Sequence, residues 1–162
     1  MRYDVISDTH GWLAPELLDA LQGADVIVHA GDCCNPDDYR QLAKIAPVHM
    51  CLGNNDYDRY AYPPDVDTLV SFRSEGLRWQ ICHYEQRLKL GKCDIAICGH
   101  THRSLVQRDA RTGTLIMNPG SPTYPRGGNG ATMGRILVED GKVVDARIVP
   151  LEIKPASRWF SF

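Results

Sequence analysis

The sequence predicts one α/β domain in which two sheets pack face to face with helices outside. Three observations point there. The first half alternates short apolar runs with helical patterns, the β-α-β-α-β order of a parallel sheet. The second half ends in two apolar runs flanking Glu139-Asp140-Gly141-Lys142, where Asp-Gly supplies the positive φ angles of a tight hairpin. The 162 residues amount to about one domain, enough to bury one core. The expected domain spans residues 1–162, with 154–162 as a surface tail.

Element by element, Tyr3-Asp4-Val5-Ile6-Ser7 is the first strand, short and β-branched. Pro15-Glu16 opens a helix, because proline is tolerated in a first turn; Leu17, Leu18 and Leu21 form its apolar face. Asp25-Val26-Ile27-Val28-His29 is the second strand. Asn35 is an N-cap for a second helix with Leu42, Ile45 and Ala46 inward, and Pro47 ends it. Val48-His49-Met50-Cys51-Leu52, Arg78-Trp79-Gln80-Ile81-Cys82, Ile95-Ala96-Ile97-Cys98 and Thr114-Leu115-Ile116-Met117 read as further strands. A small helix is expected around Gln86 to Leu90. Residues 118–130 form a loop rich in Gly and Pro, and the hairpin strands 135–138 and 143–149 follow.

Composition narrows the setting. Eighteen basic and twenty acidic residues give a net charge of −2, which disfavours a broad nucleic-acid binder. No run of about 18 apolar residues marks a membrane helix, and Met1-Arg2-Tyr3-Asp4 leads straight into a strand without a signal-peptide core. Of the six cysteines, Cys51, Cys82 and Cys98 lie in apolar runs as small hydrophobes, and no CxxC pair occurs; reduced thiols in the cytoplasm are expected. Trp159, Phe160 and Phe162 give the tail an apolar end, to be covered either by another subunit in a homo-oligomer or by the chain itself.

The polar residues cluster at strand ends. Asp8-Thr9-His10 follows the first strand, Gly31-Asp32 the second and Gly53-Asn54-Asn55-Asp56 the third. His83 closes the strand 78–82, and His100-Thr101-His102 follows the strand 95–98. The carboxyl ends of strands in an α/β sheet are where ligand sites are built. In extended backbone, residues i and i+2 share a side, so Asp8 with His10, and His100 with His102, are each expected to face one centre. Asp8, His10, Asp32, Asn54, His83, His100 and His102 supply two carboxylates, one amide oxygen and four imidazoles. That is too many for a single tetrahedral ion. It suits two ions sharing a carboxylate, and mixed imidazole and carboxylate ligands suit manganese, iron, zinc, cobalt or nickel better than magnesium or calcium.

Taken in order, Ser7-Asp8-Thr9-His10-Gly11, Gly31-Asp32, Gly53-Asn54-Asn55-Asp56, His83, Gly99-His100-Thr101-His102 and Asn118-Pro119-Gly120-Ser121 resemble the calcineurin-like metallophosphoesterases, above all their small single-domain phosphodiesterase branch. The resemblance implies a four-layer αββα sandwich and two divalent metal ions, manganese foremost. One ion would be held by Asp8, His10, Asp32 and His102, the other by Asp32, Asn54, His83 and His100, with Asp32 bridging. It implies hydrolysis of a small phosphorylated substrate, a diester in preference to a monoester, by in-line attack of a metal-bridging hydroxide; Asp32, Asn54 and His83 act through that hydroxide. Two divalent ions outweigh the two carboxylates and the hydroxide, so the pocket would be positive in a chain of net charge −2. A non-catalytic scaffold or ligand-binding protein on the same fold is the competing class.

This chain departs from the pattern twice. Asn55 stands where many relatives carry a histidine acid, and an amide donates no proton to a leaving group near neutral pH. Tyr84 stands where glycine is common, and the segment 83–100 is short. Asp56 is expected to orient the Asn54 loop. Arg126 is a candidate phosphate contact, Arg59 a weaker one, and Tyr84 and Asn55 are candidates beside the substrate. His29 and His49 read as sheet histidines, Cys33 and Cys34 as small packed side chains.

Overall fold

The computed structural model describes residues 1–155, so the surface tail expected over 154–162 lies outside them from residue 156 on. In chain order the elements are β1 (Arg2–Ile6), α1 (Pro15–Leu21), β2 (Val26–His29), α2 (Pro36–Ala43), β3 (Val48–Met50), β4 (Leu69–Ser74), β5 (Leu77–Cys82), β6 (Ile95–Ile97), β7 (Leu105–Arg108), β8 (Leu115–Asn118), β9 (Thr132–Glu139) and β10 (Lys142–Pro150). They form two five-stranded mixed sheets, ordered β10-β9-β1-β2-β3 and β4-β5-β6-β8-β7. The central trios β1-β2-β3 and β5-β6-β8 are parallel, and antiparallel strands complete each sheet. The fold class is the one expected.

Alternation along the strands divides the core. Tyr3, Val5, Val26 and Val28 face Trp79, Ile81, Ile95, Ile97 and Met117 between the sheets. Ile6, Ile27 and Met50 face outward, where Leu17 and Leu21 of α1 and Leu42 of α2 cover them. α2 starts as expected: Asn35 is extended and its side-chain oxygen accepts from the Asp37 N–H at 3.0 Å. Asp4 is also on that outer face, fully buried, and its carboxylate takes Arg2 at 2.6 Å and Arg135 at 2.8 Å.

Three local expectations are corrected. The helix around Gln86 to Leu90 is instead two 3-10 turns, Glu85–Arg87 and Leu90–Lys92, which cover Cys82, Cys93, Cys98 and Ile116 on the outside of the second sheet. The Gln80 side chain accepts from the Lys89 N–H at 2.6 Å between them, which takes that N–H out of a continuous helical ladder. The third strand stops at Met50, and Cys51 makes only an isolated bridge to Asp67. Two strands were not anticipated. β4 pairs with β5 across Glu75-Gly76, both at positive φ (51° and 76°), and β7 pairs with β8. The Asp140-Gly141 turn is as expected, at φ 49° and 71°.

Candidate metal centre

The loops after β1, β2, β3, β5 and β6 meet at one rim. The β1–β2 ladder continues past the strands through Asp8 N to Gly31 O (2.9 Å), His10 N to Asp32 O (3.0 Å) and Gly11 N to Cys33 O (2.8 Å). The backbone there is not extended, as the i, i+2 argument assumed. Asp8 (φ 56°), His10 (51°), Asp32 (55°), His100 (72°) and His102 (57°) are all left-handed. Each such turn costs a non-glycine residue of order 1 kcal/mol, and here the turns aim the side chains inward. Two glycines leave room. A Cβ on Gly99 would lie 2.1 Å from Ser7 Oγ, and one on Gly53 2.2 Å from Asp32 Oδ1.

All seven expected donors converge. His102 Nε2 lies 3.1 Å from Asp8 Oδ1 and 3.2 Å from His10 Nε2. Asp32 Oδ2 lies 3.8 Å from His10 Nε2 and 3.5 Å from His83 Nε2. Asn54 Oδ1 sits between His83 Nε2 (2.9 Å) and His100 Nδ1 (3.1 Å). Within each of two groups, Asp8, His10 and His102, and Asp8, Asp32 and His83, the donor atoms all lie within 4.8 Å of one another. Both carboxylates therefore stand between the two sets of imidazoles. Asp8 Oδ1 is buried without a hydrogen-bond partner and faces ring nitrogens of His10, His83 and His102. A bare buried carboxylate oxygen among imidazole nitrogens is a donor set that could hold a divalent cation.

Neighbours hold these donors in place. The Nδ1 atoms of His83 and His102 donate to the carbonyls of Ala30 and Tyr124, each at 2.7 Å, which turns both Nε2 atoms toward the carboxylates. Asp56 accepts from the N–H groups of Asp32 (2.8 Å), Gly53 (2.7 Å) and Cys34 (2.8 Å), tying the loops after β2 and β3 together. Ser121 Oγ donates to the Asp8 carbonyl at 2.8 Å, and Asn118 Nδ2 to the Gly99 carbonyl at 3.0 Å. His29 is wholly buried; its Nδ1 accepts from the Gly31 N–H at 3.1 Å and its Nε2 meets Thr9 Oγ1 at 3.0 Å. Burial and the nearby His83 push its pKa down to about 3.

The two carboxylates differ in charge preference. Burial raises the Asp8 pKa against the hydrogen bond from Ser7 and the attraction of His83 and His102. Burial acts the same way on Asp32, but His83 and the Asn55 backbone and side chain outweigh it and hold that carboxyl well below the usual range. Burial opposes charge on His83, yet Asp32, Asp8 and the Ala30 carbonyl raise its pKa.

The other candidates separate by position. Asn55 donates to both oxygens of Asp32, at 2.8 Å from its N–H and 2.9 Å from Nδ2, and accepts from the Tyr57 hydroxyl at 3.1 Å. Tyr84 packs edge-on against His83 (5.5 Å between centroids) and tilted on His100 (4.7 Å). Arg126 is exposed; its N–H donates to the His102 carbonyl at 2.9 Å. Arg59 pairs instead with Asp67 at 3.2 Å. His49 stacks on Phe72 at 3.7 Å, and Cys33 is buried. Cys34 is exposed, its sulfur 3.7 Å from His10 Nδ1, a packed position only in part. Sequence reasoning passed over Tyr124, whose carbonyl orients His102 and whose ring meets His10 edge-on at 5.5 Å. A backbone carbonyl leaves no trace in residue type.

Two stacked mixed sheets carry a histidine and carboxylate cluster on one rim, the make-up of a candidate divalent-metal site. The chain belongs to the calcineurin-like phosphoesterase superfamily, whose domain it matches over residues 1–141. It is 33% identical to a probable metallophosphoesterase of Methanothermobacter thermautotrophicus, covering 92% of each chain. It is 32% identical to a probable metallophosphoesterase of Methanocaldococcus jannaschii, covering 94% of this chain and 82% of that one. Among solved structures, an archaeal phosphodiesterase superposes with a TM-score of 0.75 at 22% identity, over 92% of this chain and all 100% of that one. Vps29 of Entamoeba histolytica complexed with zinc superposes at 0.70 and 21% identity, over 92% and 97%. At those identities the likeness is one of fold.

Proposed function

We propose that the protein is a phosphodiesterase working with two divalent metal ions, manganese foremost. Asp8, His10, Asp32 and His102 would hold one ion, and Asp32, Asn54, His83 and His100 the other, with Asp32 shared. One observation carries this reading: donors from five separate loops converge, with the Asp8 Oδ1 atom buried and otherwise unpartnered. Bound there, such ions lower the pKa of water and polarise phosphoryl oxygens, the chemistry that phosphate-ester hydrolysis needs.

The chain's own residues prepare that chemistry. Asp56 and Asn55 fix Asp32 from two sides. Ala30 and Tyr124 fix the ring orientations of His83 and His102. Arg126, on the loop bonded to His102, is a candidate contact for a substrate oxygen, and Tyr84 packs beside His100. The Asn55 amide is occupied by Asp32 and Tyr57 and donates no proton to a leaving group, so turnover favours esters of acidic alcohols and phenols. Six free thiols suit a reducing, cytoplasmic setting. Among the described residues, no helix is long and apolar enough to cross a membrane.

The test is metal analysis combined with hydrolysis of bis-p-nitrophenyl phosphate and of p-nitrophenyl phosphate with Mn²⁺. Two metal equivalents, faster diester than monoester cleavage and their loss in Asp32→Asn are the expected results. Two equivalents without turnover of either ester would favour the scaffold reading instead. Asp32→Asn retaining both metals and full turnover would remove Asp32 from the bridge.

A further inference from the structure

A cleft of about 210 Å³ opens beside the centre. Its inner end is formed by Cys34, Asn55 and Asp56. Two of these touch the donor set: Asn55 Nδ2 donates to Asp32 Oδ2 at 2.9 Å, and Cys34 sulfur lies 3.7 Å from His10 Nδ1. A group attached to a phosphorus atom held at the donors therefore has this cleft next to it. Pro36, Tyr57 and Tyr62 supply apolar and aromatic wall.

Three features select what enters. The first is size. A cavity of roughly 150 Å³ accommodates benzene, and drug-sized ligands need about 300 Å³ or more. At about 210 Å³ the cleft has room for one six-membered ring. The second is its wall. Tyr57 is 87% exposed, yet its hydroxyl is tied to Asn55 Oδ1 at 3.1 Å, which anchors an aromatic ring at the mouth. An exposed aromatic face held ready is a stacking surface. The third is charge. No lysine or arginine lines the cleft among the described residues, while Asp58 does, its carboxylate accepting from the Tyr60 N–H at 3.1 Å. Asp56 also lines the cleft, its carboxylate accepting from three backbone N–H groups. Further phosphates or carboxylates would meet repulsion without compensation.

We propose that this cleft is the ester-group subsite of the centre and takes a flat, uncharged single ring, of phenyl or pyrimidine size. The inference rests on reading the centre as a phosphodiesterase site. Tyr57 is the stacking wall, and Asp58 excludes anionic rings.

The experiment measures binding, by calorimetry on the Mn²⁺-loaded full chain, of methylphosphonate, phenylphosphonate and 4-carboxyphenylphosphonate. Phenylphosphonate should bind about tenfold tighter than methylphosphonate, and the carboxylated ring should lose that gain. Tyr57→Ala should bring the phenyl-to-methyl ratio near one. Asp58→Asn should restore the carboxylated ring toward phenylphosphonate. Equal affinity for the methyl and phenyl compounds in the unaltered protein overturns the subsite while leaving the centre intact. An unchanged ratio in Tyr57→Ala overturns it as well. Failure of every phosphonate to bind overturns the reading of the centre, and the subsite with it.

Discussion

Gly53→Ala tests how tightly the centre depends on the packing of its loops. A Cβ at position 53 would stand 2.2 Å from Asp32 Oδ1 and 2.4 Å from the Asp32 backbone nitrogen, against an ordinary contact of 3.4 Å or more. A rotamer change of Asp32 clears the carboxylate but not the backbone nitrogen. That nitrogen and the Gly53 nitrogen are both bonded to Asp56 Oδ2, so neither loop retreats freely. Asp32 must shift by about 1 Å, and a displacement of that size costs roughly 10²-fold in rate. Overpacking adds about 1–3 kcal/mol of destabilisation. The assay is kcat/KM for bis-p-nitrophenyl phosphate with Mn²⁺, alongside metal content by plasma mass spectrometry and folding by circular dichroism. Gly91→Ala is the control, since its Cβ would meet only Thr112 Cγ2, at 3.9 Å. A folded Gly53→Ala protein with two metal equivalents and wild-type kcat/KM would refute the reasoning.

Three further outcomes are expected. Saturating Mn²⁺ at about 100 times its Kd stabilises the folded chain by about 2.7 kcal/mol. At roughly 2–4 °C per kcal/mol, the melting temperature rises by about 5–11 °C; a melting curve indifferent to Mn²⁺ and to chelator would sink the donor-set reading. His29 is neutral in the fold, with its pKa lowered from 6.5 to about 3, whereas the unfolded chain takes up the proton below 6.5. Its contribution is present above pH 6.5 and is lost as pH falls toward 3, amounting to about 1.4 kcal/mol by pH 5.5. His29→Gln should lack that acid limb in urea titrations at pH 8 and pH 5.5, and parallel slopes in the two proteins would contradict it. Asp4→Ala leaves Arg2 and Arg135 without their shared buried carboxylate. A loss of about 3 kcal/mol in unfolding free energy is expected; a loss below about 1 kcal/mol, the range of an exposed pair, would show that the network contributes little.

Much of the fold was legible because burial is written in local patterns. The β1-α1-β2-α2-β3 order follows from apolar runs and helix starts at Pro15 and Asn35, and the β9–β10 hairpin from Asp140-Gly141. β4 and β7 are edge strands, partly exposed, and their partners come from sheet pairing rather than from their own hydrophobicity. The residues that converge on the rim were readable as residue types at strand ends. The extended-backbone reason for their convergence is not the one the structure shows: left-handed turns at Asp8, His10, His100 and His102 aim the side chains, and Asp and His are enriched at positive φ too weakly for single positions to be read from sequence.

Residue identity and order thus determined the class of the domain, the family it belongs to and the chemical types of the donors, because these depend on hydrophobic period, turn chemistry and side-chain functional groups. Tertiary structure alone decided the rest. It buried Asp8 Oδ1 without a partner, gave Asn55 to Asp32, put the Tyr124 carbonyl behind His102 and opened the cleft at Tyr57. Each of these depends on atoms from loops far apart in the chain, held within about 3 Å hydrogen-bond range, and no local pattern encodes such distances.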